Sequence, residues 1–212
     1  MPSPEEIENS SSYKLLLTLE YGSVADFVIA QLKSANAVTC SFYALTLTLF
    51  IWALSLRFGL SGELTLSQVL PYTLAGLILC PLLMIPVHEG IHILAFRMLG
   101  GRDIRVGADL KSFIVYVTAH RHVVTALPFL VIAASPFIII SVVLLASVWS
   151  ASPLWKWALS LTLLAHTTMC AGDIAMGAFY YTNRGKKIVT WDDAEARVAY
   201  FFEHNNQTII NQ

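Results

Sequence analysis

The sequence predicts a mainly α-helical, polytopic membrane protein with four transmembrane helices. A cytosolic β-hairpin or ribbon is expected between helices 2 and 3, and a short amphipathic helix near the C-terminus. Three observations carry this expectation. First, 56% of the 212 residues are hydrophobic and only 13% are charged, with a mean hydropathy of +0.65, too apolar for a water-soluble domain of this size. Second, four segments, about residues 38–56, 70–96, 127–149 and 157–182, approach the roughly 20 apolar residues that a span requires, and none contains lysine or arginine. Third, the stretch 102–126 loses helical periodicity and turns to β-branched residues.

Taken in order, residues 1–37 form a cytosolic N-terminal segment. Its start, MPSPEEIENSSS, is acidic and polar where a secretory leader would place basic residues before an apolar run, so the first span is expected to be retained. Lysine and arginine concentrate before span one, after span two and after span four, with only Arg57 and Lys156 in the opposite loops. An excess of basic residues marks cytosolic loops, so both termini are expected in the cytosol. A net charge of −1 offers no basic field for nucleic acid. Cys40, Cys80 and Cys170 are scattered singly and read as apolar filler.

Residues 38–182 read as one membrane domain. Within it, Gly107–Asp109 supplies a turn signal for the ribbon. Residues 183–212 form a cytosolic tail. There Thr190 and Asp193 resemble a capping box, and Val198, Phe201 and Phe202 give an apolar face, so a short helix is expected over about 192–204.

The chemistry concentrates in Pro86–Phe96, PVHEGIHILAF. His88 and His92 are four apart and project from one helix face at a spacing that lets both bind one metal ion, while Glu89 lies close enough to take a proton from water. An ionised side chain at mid-membrane costs at least about 2.5–3.5 kcal/mol, so Glu89 needs a reason to be there. Asp173 makes the same demand, for no basic residue lies in any span. A divalent cation between spans two and four would satisfy both carboxylates and both imidazoles. Taking Arg97 and Arg184 as markers of the cytosolic helix ends, at ~1.5 Å per residue His92, His88 and Asp173 lie roughly 7, 13 and 16 Å inside, about one level. Gly172 and Gly177 are expected to let the two helices approach closely. His166 lies roughly 10 Å further out on a continuous helix and reads first as a buried histidine hydrogen-bonded within the bundle, with a supporting place beside the metal as the alternative. His120 and His122 read as solvated or interfacial. Pro86 either starts a fresh helical piece that admits water or merely kinks an ordinary span.

His88-Glu89-Gly90-Ile91-His92 in a span, a β-rich insert after it, and Gly172-Asp173 in a later span together resemble the site-2-type intramembrane zinc metalloproteases. The layout is most similar to a family of small bacterial membrane proteins of uncharacterised domain described as zincin peptidases. The resemblance implies Zn2+ as cofactor, with His88, His92 and Asp173 as ligands and Glu89 as general base. It also implies a membrane-spanning or membrane-tethered peptide substrate and residence in the bacterial cytoplasmic membrane, where a regulatory membrane protein could join it. Site-2 enzymes usually carry Asp-Gly with an asparagine upstream. Here the order is Gly-Asp, and His166 stands in the asparagine's place. Two other readings remain open: a proton- or metal-coupled transporter, since such residues also form ion pathways, and a metal-binding scaffold without turnover. Within the enzyme reading, Glu195 or Glu203 could replace Asp173 as third ligand.

Overall fold

The computed structural model describes residues 2–59, 65–109 and 114–205. Two helices of the membrane region match the expected spans closely. α3 is Ala37–Gly59, opened by the Asn36 side chain, which accepts hydrogen bonds from the backbone N–H of Val38 (2.9 Å) and Thr39 (3.1 Å). α6 is Ala126–Ser150. Between them, in chain order, residues 66–98 follow one helical path: α4 (Leu66–Leu74), a π-turn (Ala75–Leu79) and α5 (Cys80–Met98).

The π-turn stands just ahead of Pro81, whose ring removes a backbone donor. The carbonyl of Gly76 is recovered by the Thr162 hydroxyl at 3.2 Å, as backbone away from water requires. A Cβ at Gly76 would collide with the Ala158 carbonyl, so this glycine permits the closest approach of the following helices. Gly172 and Gly177 do not serve that purpose: a Cβ at the first would meet nothing within 4 Å, and at the second only Val38 at 3.8 Å. Nor does the chain break at Pro86, which lies inside the continuous α5. The irregularity ends about two turns upstream, at Leu79.

Three helical paths, Ala37–Gly59, Leu66–Met98 and Ala126–Ser150, are long and apolar enough to cross a membrane among the described residues. The expected fourth span, 157–182, is instead two helices, α7 (Pro153–Met169) and α8 (Ala171–Thr182), joined at Cys170. The run TTMCAG explains the bend. Thr167 and Thr168 turn their hydroxyls back onto the carbonyls of Leu163 and Ala165 at 2.8 and 2.7 Å, which bends helices, and Gly172 follows within the next turn.

The ribbon exists as β2 (Ile104–Asp109) paired antiparallel with β3 (Ile114–Ala119). Gly107–Asp109 is strand and not turn. Gly107 lies opposite Tyr116, whose ring occupies the space a Cβ would need.

The tail holds no helix over 192–204. It forms β5 (Ile188–Asp193) and β6 (Val198–His204), a hairpin inside a second sheet of order β1-β6-β5-β4, with β1 at Tyr13–Glu20 and β4 at Val124–Thr125. Asp193 does cap, but caps the turn: its Oδ1 accepts from the N–H groups of Glu195 and Ala196, both at 2.9 Å. Those two bonds hold its carboxyl below the usual range. Residues of high β propensity, Val189-Thr190-Trp191 against Tyr200-Phe201-Phe202, then bury opposite faces. Ile188 and Phe201 join Leu19, Tyr21 and Tyr180, while Val189, Trp191 and Phe202 join Ile7 of a short helix, α1 (Pro4–Asn9). The chain's two ends are thus woven into one sheet. That sheet caps the end of α8, and α2 (Val24–Lys33) packs along the same helix.

Candidate metal centre

α5 carries His88 and His92 on one buried face, 8% and 9% exposed, with ring centroids 4.9 Å apart. The bend at Cys170 sets Asp173 in the first turn of α8, where the helix dipole favours a carboxylate. Asp173 Oδ2 lies 3.4 Å from His88 Nε2, and Oδ1 lies 3.5 Å from His92 Nε2. One donor atom from each of the three side chains falls within 4.8 Å of the others.

These separations discriminate between two arrangements. A direct charge-assisted N–H···O bond closes to about 2.7–2.9 Å. Donors that share a tetrahedral zinc at about 2.0–2.2 Å are held about 3.3–3.6 Å apart. The observed 3.4 and 3.5 Å fall in the second range. Two imidazoles and a carboxylate are also the donor set that suits zinc, so the residues present fit the ion.

The outer nitrogens are set for the same purpose. His92 Nδ1 meets the Ile132 carbonyl at 3.0 Å; as the acceptor can only be the carbonyl, Nδ1 carries the proton, and in the neutral ring this leaves the Nε2 lone pair for a metal. His88 Nδ1 meets His166 Nε2 at 3.4 Å. His166 is fully buried, its Nδ1 has no hydrogen-bond partner among the described residues, and Cys170 Sγ lies 3.7 Å from its Nε2. It stands much nearer the site than spacing along an unbroken helix implies, because the chain bends at Cys170. His88, His166 and Cys170 form a second group of donors within 4.8 Å.

His88, Glu89, His92 and Asp173 all line a cavity of about 540 Å³ that extends from α5 and α8 to the sheets. Glu89 makes no hydrogen bond or ion pair to another described residue, so its carboxylate faces that space uncommitted. Val115, Tyr116, Val117 and Thr118 line it in succession, and β3 pairs on one side only among the described strands, with β2. At the sheet end lies Asp192, whose carboxyl burial pushes up to about 7. Asp192 and its neighbour Tyr21 escape a sequence reading. The one available signal, a doubled aspartate after an aromatic strand residue, reads equally well as a helix cap.

The rival ligands lie elsewhere. Glu195 pairs with Arg105 at 3.3 Å, and Glu203 sits on β6 between Lys14 and Ile188. His120 accepts the Ala194 N–H at 3.1 Å and faces Asp193, while His122 Nε2 is buried without a partner among the described residues. Neither enters a donor group with His88.

A family model described as "Putative zincin peptidase" matches residues 81–189, a stretch from the start of α5 into β5 that holds His88, Glu89, His92, His166 and Asp173. No curated protein and no solved structure matches the chain.

Proposed function

The chain belongs to the "Putative zincin peptidase" family, and from that premise we propose that it is a zinc-dependent intramembrane endopeptidase acting on a membrane-spanning or membrane-tethered peptide. The observation that carries the proposal is the 3.4 and 3.5 Å spacing of Asp173 from His88 and His92 at the wall of a cavity that Glu89 also lines. His88, His92 and Asp173 would hold the ion, which when bound would supply a Lewis acid for the scissile carbonyl and lower the pKa of water toward ~7.

The chain's own residues do the rest. Glu89 takes the proton of the attacking water and passes it to the leaving amine. Ile132 and His166 hold the two imidazoles in orientation from behind. The unpaired edge of β3 accepts an extended stretch of substrate as an added strand, which requires a spanning helix to unwind locally and supplies hydrogen bonds to the backbone it exposes. The distribution of basic residues favours a cytosolic placement of both termini.

Cleavage of a membrane-tethered reporter tests this. Glu89→Gln is expected to lower the rate by about 10²–10⁴ while bound zinc, read by elemental analysis, stays unchanged. Equal cleavage by variant and wild type would defeat the proposal.

A further inference from the structure

The cavity that begins at His88 and Asp173 ends at a third carboxyl. Asp192 lies at its sheet end, and its Oδ1 accepts a long 3.3 Å hydrogen bond from the Tyr21 hydroxyl. The walls between are apolar, with Leu19, Val24, Phe129 and Phe201 among them. The Thr118 hydroxyl lies beside Tyr21 yet completes no hydrogen bond of normal geometry among the described residues. Among the described residues no lysine or arginine lines the cavity, against three carboxyls.

Arg121, whose backbone N–H donates to the Asp192 carbonyl at 2.8 Å, has its guanidinium committed elsewhere. Arg121 pairs with Glu5 and, at 3.7 Å, with Asp193, and it stacks over Trp191 at 5.5 Å. His120, bridged to Asp192 through the backbone, turns its Nδ1 to the Ala194 N–H and to Asp193. Tyr21 faces Asp192 as a neutral phenol, its ionisation pushed up by burial. Asp173 faces two imidazoles and Glu89 lies beside them, but among the described residues Asp192 has no compensating cation. A long aliphatic stem with a cationic tip meets both requirements of this space: apolar walls along the stem and a lone carboxyl at the far end.

We propose that Asp192 is a specificity-determining residue, forming the end of a subsite that receives a lysine or arginine side chain of the substrate. This rests on the peptidase reading, since the cavity is then the substrate cleft. The raised carboxyl of Asp192, near 7 without a cation, ionises fully when a cationic tip arrives. The subsite would make the enzyme prefer peptides whose basic residue stands a few positions from the scissile bond, a natural arrangement where a span meets the cytosolic boundary.

The test uses the full chain with Glu89→Gln, zinc-loaded in detergent, so that binding is read without turnover. Fluorescent apolar peptides carry one lysine moved through every position, and each is compared with the same peptide bearing acetyl-lysine. At one or two neighbouring positions lysine is expected to bind about tenfold more tightly than acetyl-lysine. Adding Asp192→Asn is expected to erase that ratio, and adding Tyr21→Phe, which leaves the carboxyl in place, to preserve it. A ratio near one at every position, or a ratio that survives Asp192→Asn, overturns the proposal. Should Asp192→Asn not fold, the ratio in the Asp192 protein must still fade as pH falls below about 7, and a ratio indifferent to pH counts against it. Offering the same peptides to wild type separates the two ideas. Lysine-selective binding without cleavage keeps the subsite and sinks the peptidase reading, whereas cleavage indifferent to lysine does the reverse.

Discussion

His88 belongs to two donor groups at once, one on each ring nitrogen. Through Nε2 it joins His92 and Asp173; through Nδ1 it joins His166 and Cys170. The two groups are equally compact, yet their surroundings differ. His92 and Asp173 border the large cavity, with Glu89 beside them. His166 and Cys170 are both fully buried and do not line it. Compactness is therefore not what marks a reactive site. A cation held by the first group faces room for a peptide and a free carboxylate. One held by the second faces packed protein, where its occupant could do no chemistry on a substrate. The second group is better suited to steer the His88 ring from behind.

Removing Asp173 should have the largest effect. Asp173→Ala is expected to reduce zinc from about one ion per chain to near none and to abolish cleavage, read by elemental analysis and a tethered reporter. Zinc retained in that variant but lost on changing Cys170 would reverse the assignment of the two groups.

A smaller change is expected one step back. His166→Gln should weaken zinc by roughly 10–100-fold, as loss of an outer partner typically does, measured by competition with a chelator. Affinity within error of wild type would mean that His166 only fills space.

The open group also has a titratable neighbour at the far end of its cavity. The Asp192 carboxyl, raised to about 7, binds its proton more tightly folded than unfolded, where it titrates near ~3.9. Its contribution is therefore fully present below ~4 and is lost as pH rises through about 7. The melting temperature in detergent should decline across that window, by roughly 2–4 °C per kcal/mol of linkage, and Asp192→Asn should flatten the decline. An unchanged slope would place the titration elsewhere.

Smallest of all is Cys170→Ala, expected to leave zinc and cleavage as they were and to cost about 1 kcal/mol of stability.

The site was more legible in the sequence than the architecture around it. His88, Glu89 and His92 are neighbours along one helix, so their meeting needs only the 3.6-residue period. Asp173 could be matched to them by depth, since a buried carboxylate without a counter-charge constrains where its partner lies. His166 could not be placed that way, because rise per residue holds only along an unbroken helix and the bend at Cys170 resets it. The tail failed for a different reason. Val198, Phe201 and Phe202 satisfy a helical stripe about as well as a strand, and the deciding term is an external one: β1, far away in sequence, offers the hydrogen bonds that make β6 a strand. Gly172 misled similarly, since a glycine permits a close approach without requiring it, and Pro86 left a break and a plain kinked span equally open for the same reason.

What the sequence determined by itself was local or compositional: a chain too apolar for water, long helical runs, and a motif whose two histidines sit one turn apart. Partition into a bilayer and helical period depend on neighbouring residues alone, so both could be read directly. What only the tertiary structure decided was every feature that depends on distant segments meeting. The split of the last apolar stretch into two helices, the sheet woven from both ends, and the cavity joining the metal ligands to Asp192 all arise from packing. No short-range pattern encodes which faces will be brought together.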